Sequence, residues 1–352
     1  MSMYAGELKA FEELFGPAGR PLSRLIRPAI AAKEGRTLVW GDWAAIEARV
    51  LPWLANTEGA TKVLDVFRKS DADPDEPDLY MIEAANVLDM DVREMWSAYR
   101  KKDPLAKNWR QQGKVPVLSL GFGGAVGALQ NMAVAYGVSL TEAEAKVVVD
   151  KWRSNNKWAR HFWDALWKGF LAAMANPNEP QIVGRVVYVY DPDYMGGTVL
   201  CFLPDGRPLS YTGVKWLKRE HEDKEGNVTT RTELTYRRGY TRRSLWYGVL
   251  AENITQAVAG SLLRDCLVNL SPADTDGMDG CVVPDESWLS APAEVVGHTH
   301  DEIIAETDDS EEAIALAQEE LSFAMGDNPD WAEGLPLVAE VSTSWYYTKT
   351  VD

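Results

Sequence analysis

Two acidic positions stand where apolar runs end: Asp42, after TLVWG, and Asp301, followed by Glu302, between AEVVGHTH and IIAET. Carboxylates gathered from distant parts of a chain suit a hard cation such as magnesium, which takes oxygen ligands and keeps water positions for substrate phosphates. A pair of such ions is a general device for in-line phosphoryl displacement. Spacing alone leaves a plainer reading open, in which Asp42 caps the helix after it and Asp301-Glu302 make a solvated turn. A second cluster starts at Arg110, in RQQGKVPVLSLGFGG. Arg110 and Lys114 are four apart, so on a helix they project from one face, where two cations can grip a polyphosphate. Phe122 lies two further turns along. Taken alone, the segment also reads as a surface helix with two solvated cations and a core aromatic. Gly121, Gly123 and Gly124 make no dinucleotide fingerprint, because no strand precedes them at the required place.

The elements that must hold these residues follow from the pattern around them. Helical spacing over residues 7–15 and 22–32 precedes TLVWGDW, an apolar strand running into Asp42. Next, AAIEARVLPWLA sets Ile46, Val50 and Trp53 at helical spacing, which predicts strand, turn and helix, with a kink or early end at Pro52. Residues 57–172 read as helical, with breaks near 71–78 and at Asp103-Pro104. From about 181 to 238 the pattern alternates (RVVYVYD, GTVLCFL, RTELTYRR) between the turn signals PDGRP and KEGN, which predicts antiparallel hairpins. A helix over 247–268, a loop over 271–284, two strands flanking His300-Asp301 and a final strand in LPLVAEVSTSWYY complete the chain. The expected division is residues 1–56, a block at 57–245 with a hairpin-rich stretch at about 181–240, and residues 246–352. The fold class is α+β, with a mainly helical block inserted into a domain built on an antiparallel sheet.

With 352 residues, 46% hydrophobic and 25% charged, the chain has the length and composition of a globular protein of about two cores, which excludes a miniprotein and wholesale disorder. No apolar run approaches the roughly 20 residues of a membrane span, and no signal peptide opens the sequence. Cys201, Cys266 and Cys281 are odd in number and lack CxxC spacing, which argues against a disulfide framework or a zinc site and fits a reducing cytoplasm. The net charge of -17 conceals a dipolar chain: residues 101–243 carry a local +8 and the remainder -25. A basic middle of this kind forms a phosphate-facing surface where its charges converge in space. The acidic run ETDDSEE, from Glu306, reads as a solvated face.

Taken together, the motifs resemble those of family A DNA polymerases, the DNA polymerase I family, in the form bacteriophages carry. GDWAAIEARVLPWLA is similar to the first palm motif, DYSQIELR; RQQGKVPVLSLGFGG to the fingers-helix motif, R-x3-K-x7-Y-G; and His300-Asp301-Glu302 to the third motif, HDE. The resemblance implies a right-hand palm from residues 1–56 and 246–352, with fingers from 57–245. It also implies template-directed addition of dNTPs to a primer 3′-hydroxyl on DNA. Asp42, Asp301 and the Trp43 carbonyl would hold two Mg2+ ions, with Mn2+ as substitute, and Glu302 would assist. Arg110 and Lys114 would bind the triphosphate, Lys114 as general acid; Phe122, Leu118 and Tyr80 would line the nucleotide site, and Glu47 would be the steric gate against a ribose. Gln256, His300 and Gly123 would lie near template and primer.

Departures from the family pattern are specific. Ala44 and Ala45 replace Ser-Gln, Leu118 replaces an aromatic, Tyr80 replaces a His, and Phe122 lacks the Tyr hydroxyl that would bond Glu47. Pro116 inside the fingers helix predicts a late start or a kink there. The chain begins only about 40 residues before Asp42, so neither a thumb nor a 3′–5′ exonuclease is expected in it. A second protein is expected to supply both, making the chain the palm and fingers subunit of a split polymerase in the host cytoplasm, with no membrane partner. Two alternatives compete: an RNA polymerase relative, against which Glu47 counts, and a non-catalytic DNA-binding scaffold, against which the joint retention of Asp42, Asp301, Arg110 and Lys114 counts.

Overall fold

The computed structural model describes residues 25–270, apart from 223–225 and 227, and residues 293–348. The patterns at 7–15 and 271–284, and Cys281, lie outside the described residues. In chain order the elements are β1 (Arg36–Trp43), α1 (Ile46–Ala55), α2 (Glu58–Ala72), α3 (Leu79–Leu88), α4 (Val92–Arg100), α5 (Pro104–Leu120), α6 (Val126–Ala135), α7 (Glu142–Asn155) and α8 (Lys157–Ala175). Strands β2 (Gln181–Val183), β3 (Val186–Asp191), β4 (Thr198–Phe202), β5 (Pro208–Glu222), β6 (Val228–Arg238) and β7 (Thr241–Ser244) follow. The chain then forms α9 (Tyr247–Leu270), β8 (Glu294–Thr299), β9 (Glu302–Asp308), α10 (Glu311–Gly326) and β10 (Ala339–Ser344). The class is α+β, as expected. Two compact units result: one from Met1–Ala44, Leu262–Asp327 and Leu337–Asp352, the other from Ala45–Ser261 and Asn328–Pro336.

The first unit is an antiparallel sheet of order β10-β1-β9-β8. Its centre is β1, whose unbroken apolar run suits a strand covered on both faces. On one face Leu38 and Trp40 pack with Ile304 and Tyr347. On the other lies α10, and Gly41 makes room for it: a Cβ there would sit 2.5 Å from Met325 Sδ and 3.2 Å from Leu321 Cγ. Trp43 Nε1 donates to the Met325 carbonyl at 2.6 Å, locking helix to strand beside Asp42. Ser310 caps α10, and Glu311 and Glu312 in its first turn complement the helix dipole. The acidic run ETDDSEE is therefore no single solvated face. Glu306, 3% exposed, lies on β9, which is buried on both faces from Glu302 to Thr307, and pairs with Arg36 and Lys33.

In the second unit a helical layer carries a six-stranded antiparallel meander, β2 to β7 in sequence order. Phe170 on α8 meets Tyr188 and Tyr211 edge-on, each at 5.5 Å, seating sheet on helix. Helix runs through both prolines: α1 continues three residues past Pro52, and α5, helical from Pro104 to Leu120 with Pro116 inside, does not start late. Each proline deletes one helical bond, but Val115, Pro116, Ser119 and Leu120 are buried, and packing outweighs local propensity. The helix expected over 22–32 ends early, because Arg27–Ala29 form a 3-10 turn at Pro28. Ile30 and Ala32 then bond the C-terminal segment through Tyr347 N and the Trp345 carbonyl.

Helices α3 and α5 cross at Gly113, where a Cβ would lie 1.8 Å from the Tyr80 carbonyl oxygen and 2.6 Å from Ala84 N. Backbone contact of that kind admits only glycine. Gly113→Ala is expected to cost about 2–3 kcal/mol through overpacking, read as a lower urea midpoint at unchanged slope; a cost under about 0.5 kcal/mol would mean that the helices cross with slack.

Candidate active site

In the first unit, antiparallel pairing places Asp42 of β1 directly opposite Glu302 of β9 and, across the other edge, Glu340 of β10. Directly paired residues share a face of the sheet, so three carboxylates form a row, an arrangement that like-charge repulsion disfavours. Asp301, in the turn before β9, accepts the Trp43 amide at its carbonyl at 3.2 Å. Asp42 and Asp301 are both half-buried. His300, beside them in the turn, is exposed with φ 49, a left-handed conformation uncommon for a side chain.

Glu302 is 2% exposed, and its carboxylate accepts the Tyr347 hydroxyl and pairs with Arg27 at 3.4 Å. Arg27 also lies 5.1 Å over the Tyr347 ring. Burial first, then the bond to and charge of Glu302, hold the Tyr347 hydroxyl above its usual range, with Asp42 adding to the same effect. Tyr347 and Arg27 escaped the sequence reading; an aromatic near the terminus and an arginine before Pro28 carry no local signal of this contact. Among the described residues no group of three or more His, Cys, Asp or Glu is gathered to hold a metal. The side chains of Asp42 and Asp301 offer oxygen donors, the kind that a hard cation retaining waters takes.

In the second unit, Arg110 and Lys114 leave the same face of α5 and straddle Tyr80 of α3, at 5.1 and 5.6 Å from its ring centre. The close crossing at Gly113 puts the ring between them. Tyr136 lies 5.5 Å beneath Lys114 and Tyr99 5.6 Å beneath Arg110. Asp78 serves two ends at once: Oδ1 caps α3 by accepting the Met81 amide at 2.8 Å, and Oδ2 accepts Arg110 Nε at 2.6 Å. Burial works to lower the Arg110 pKa, but the charge and bond of Asp78 leave it raised. Burial pushes the Tyr80 hydroxyl up to about 12, against the charge of Arg110, so it stays protonated. A helix N-cap three residues before Met81 was the available signal for Asp78.

Glu47 Oε1 accepts Gln256 Nε2 at 3.5 Å, joining α1 to α9 where Phe122 has no hydroxyl to offer. Glu47, Leu118 and Phe122 line one cleft together with Glu83 and Asn156. Its open interior is about 30 Å³, room for a water and far below the few hundred Å³ of a ligand site. The turn after α5 is pinned: Trp163 Nε1 donates to the Gly121 carbonyl and Arg153 to that of Gly124, each at 2.9 Å. Gly123, at φ +77, passes so near Tyr247 that a Cβ would meet its ring at 2.5 Å. Trp152, Trp163 and Tyr247 stack behind this turn.

Glu83 is 5% exposed and accepts Asn156 Nδ2 at 3.0 Å; burial raises its pKa, opposed by bonds from Asn156 and Asn86. A carboxyl raised on folding favours the folded state while protonated and loses that contribution as pH rises through its folded pKa. Glu83→Gln, which keeps the acceptor, is expected to match the parent in melting temperature near pH 4.5 and to exceed it increasingly toward pH 8. A constant difference across this range would contradict a buried, proton-binding Glu83.

No family model matches the chain. A protein named DNA polymerase, from Bacillus phage SP02, is 30% identical over 345 residues, covering 98% of this chain and 46% of its own length. The chain therefore spans about half the length of that relative. Among solved structures, the POL domain of Pol1 from M. smegmatis, in complex with DNA primer-template and dNTP, aligns over 92% of this chain and 42% of its own, at TM-score 0.49 and 15% identity. The DNA polymerase resemblance carried by three short motifs thus extends in sequence along nearly the whole chain.

Proposed function

We propose that the chain catalyses template-directed DNA synthesis as the palm and fingers of a family A polymerase. The observation that carries this reading is the β1·β9 pairing, which sets Asp42 opposite Glu302 and beside Asp301. Arg27 offsets part of the like-charge cost at Glu302, and a divalent cation would offset more of it. Asp42, Asp301 and the Trp43 carbonyl would hold magnesium, or manganese in its place. The metal would supply charge neutralisation and a lower pKa for the primer 3′-hydroxyl.

This chain's own residues do the rest. Arg110 and Lys114 bind the triphosphate, and Tyr80, neutral and buried, keeps both cations extended. As the primer 3′-oxygen bonds to the α-phosphorus and loses its proton, the bond to pyrophosphate breaks. Lys114 then gives a proton to the departing oxygen. Glu302, held by Tyr347 and Arg27, orients the turn that carries Asp301. Phe122 packs against the nascent base pair, Leu118 stands at the sugar, and Glu47, steadied by Gln256, fills the space of a 2′-hydroxyl. His300 and Gly123 face the primer-template. The second protein expected to supply a thumb and exonuclease has no support in the contacts or relatives described above. Among the described residues, no helix is long and apolar enough to cross a membrane.

Primer extension with Mg2+ and dNTPs tests the reading. Asp301→Asn is expected to lower single-nucleotide incorporation on the order of 10³-fold with duplex affinity retained; equal rates would sink the catalytic assignment and favour the scaffold. Running the chain with and without host or phage extract reads whether a second protein is needed. In the same assay Glu47→Ala is expected to reduce dNTP-over-NTP preference at least about tenfold, and unchanged preference would remove Glu47 as the gate.

A further inference from the structure

The basic middle of the sequence converges in one place that the catalytic reading does not use. On β5, β6 and β7, Lys215, Arg219, Arg231, Arg237 and Arg242 share one face of the six-stranded sheet. The register fixes this, since Arg219 pairs directly with Arg231, and Arg237 with Arg242, while Lys215 pairs with Thr235. The opposite face is the packed one, with Leu234 and Tyr236 buried and Trp216 edge-on to Trp167. Two arginines directly opposite each other, twice, is an arrangement that costs stability. Among the described residues of that face on β5, β6 and β7 a single acid stands against them, and after Ser244 and His221 the charge of Arg219 helps hold its carboxyl low. The acid there, Glu233, is already engaged by His221 at 2.6 Å and by the Ser244 hydroxyl. Arg219 and Arg242 spend hydrogen bonds on backbone carbonyls, of Arg242 and Gly213 respectively, which stiffens the array. Burial, then the charges of Arg237 and Arg219, lower the Arg242 pKa, a sign that these cations feel one another. Lys215, Arg237 and Arg242 border an open hollow of about 320 Å³, wide enough for a phosphate.

We propose that this face is a second nucleic-acid surface, which grips the phosphate backbone of duplex DNA. The occupant follows from the chemistry. Guanidinium forks match phosphate oxygens two at a time, and their repulsion in the free protein is relieved by a dense polyanion rather than by scattered acids. Lys215 and Arg219 lie about 13 Å apart along the strand, the reach of a few backbone phosphates. Backbone rather than base recognition follows because the face presents rows of guanidinium groups, while Trp216, the exposed aromatic of β5, is on the other face. The inference rests on the DNA polymerase reading only for the identity of the polyanion.

The test is a triple variant, Arg219→Gln, Arg231→Gln and Arg237→Gln, which spares Arg242 because it braces the sheet. Affinity for a blunt duplex of random sequence is measured from 50 to 200 mM salt. The salt slope is expected to fall by about 2 to 3, near 0.9 per lost phosphate contact. Incorporation at saturating primer-template is expected to be unchanged. The melting temperature without DNA is expected to hold or rise as the paired charges go, which also shows that the variant is folded. Parental affinity and slope in the folded variant overturn the proposal and point to an acidic protein partner. If the slope falls while Asp301-dependent synthesis is absent, this surface stands and the catalytic reading falls; an unchanged slope with synthesis intact has the reverse meaning.

Discussion

The antiparallel register of β1 and β9 is the constraint on which the candidate active site rests. It joins residues some 260 positions apart and decides that Asp42 faces Glu302 and not Ile303. A one-residue slip would turn Asp42 toward α10 and move Trp43 off the Met325 carbonyl, so core packing and site geometry stand or fall together. Gly41 and Trp43 hold the strand on α10, while Tyr347 and Arg27 hold the face that carries the carboxylates. Arg27 already offsets part of the charge in the row of Glu340, Asp42 and Glu302, and a bound cation would offset more.

A similar economy governs the cationic site. Gly113 allows α3 and α5 to touch, the touching places Tyr80 between Arg110 and Lys114, and Asp78 fixes Arg110 while starting α3. Removing any one of these disturbs the others, because the same atoms serve the helix ends and the charges. The six-stranded sheet shows the opposite balance. Its inner face is ordinary aromatic packing, whereas its outer face accepts paired arginines that folding alone would not select.

Much of this was legible in the sequence where the signal is local. The apolar run before Asp42, the hairpin at His300-Asp301, the alternation over 181–238 and the helical breaks near Asp78 and at Asp103 all match observed elements. What was not legible is what depends on contacts distant in sequence. Pro52 and Pro116 sit inside intact helices because burial outweighs a lost hydrogen bond. Glu306 belongs to the sheet through a strand buried on both faces and through its partners Arg36 and Lys33, despite the acidic run around it. The Tyr347–Glu302 bond, the Tyr80 sandwich and the convergence of Arg219, Arg231, Arg237 and Arg242 each require a strand register or a helix crossing that composition does not encode.

A divalent ion held by the strand-paired carboxylates is what the proposed chemistry depends on. Mn2+ binding, followed by electron paramagnetic resonance in the parent chain and in Asp42→Asn and Asp301→Asn, tests it without reference to turnover. Bound Mn2+ is expected in the parent and lost in both variants, each melting at or above the parent in the absence of metal. Folded variants that bind Mn2+ as the parent does would contradict it.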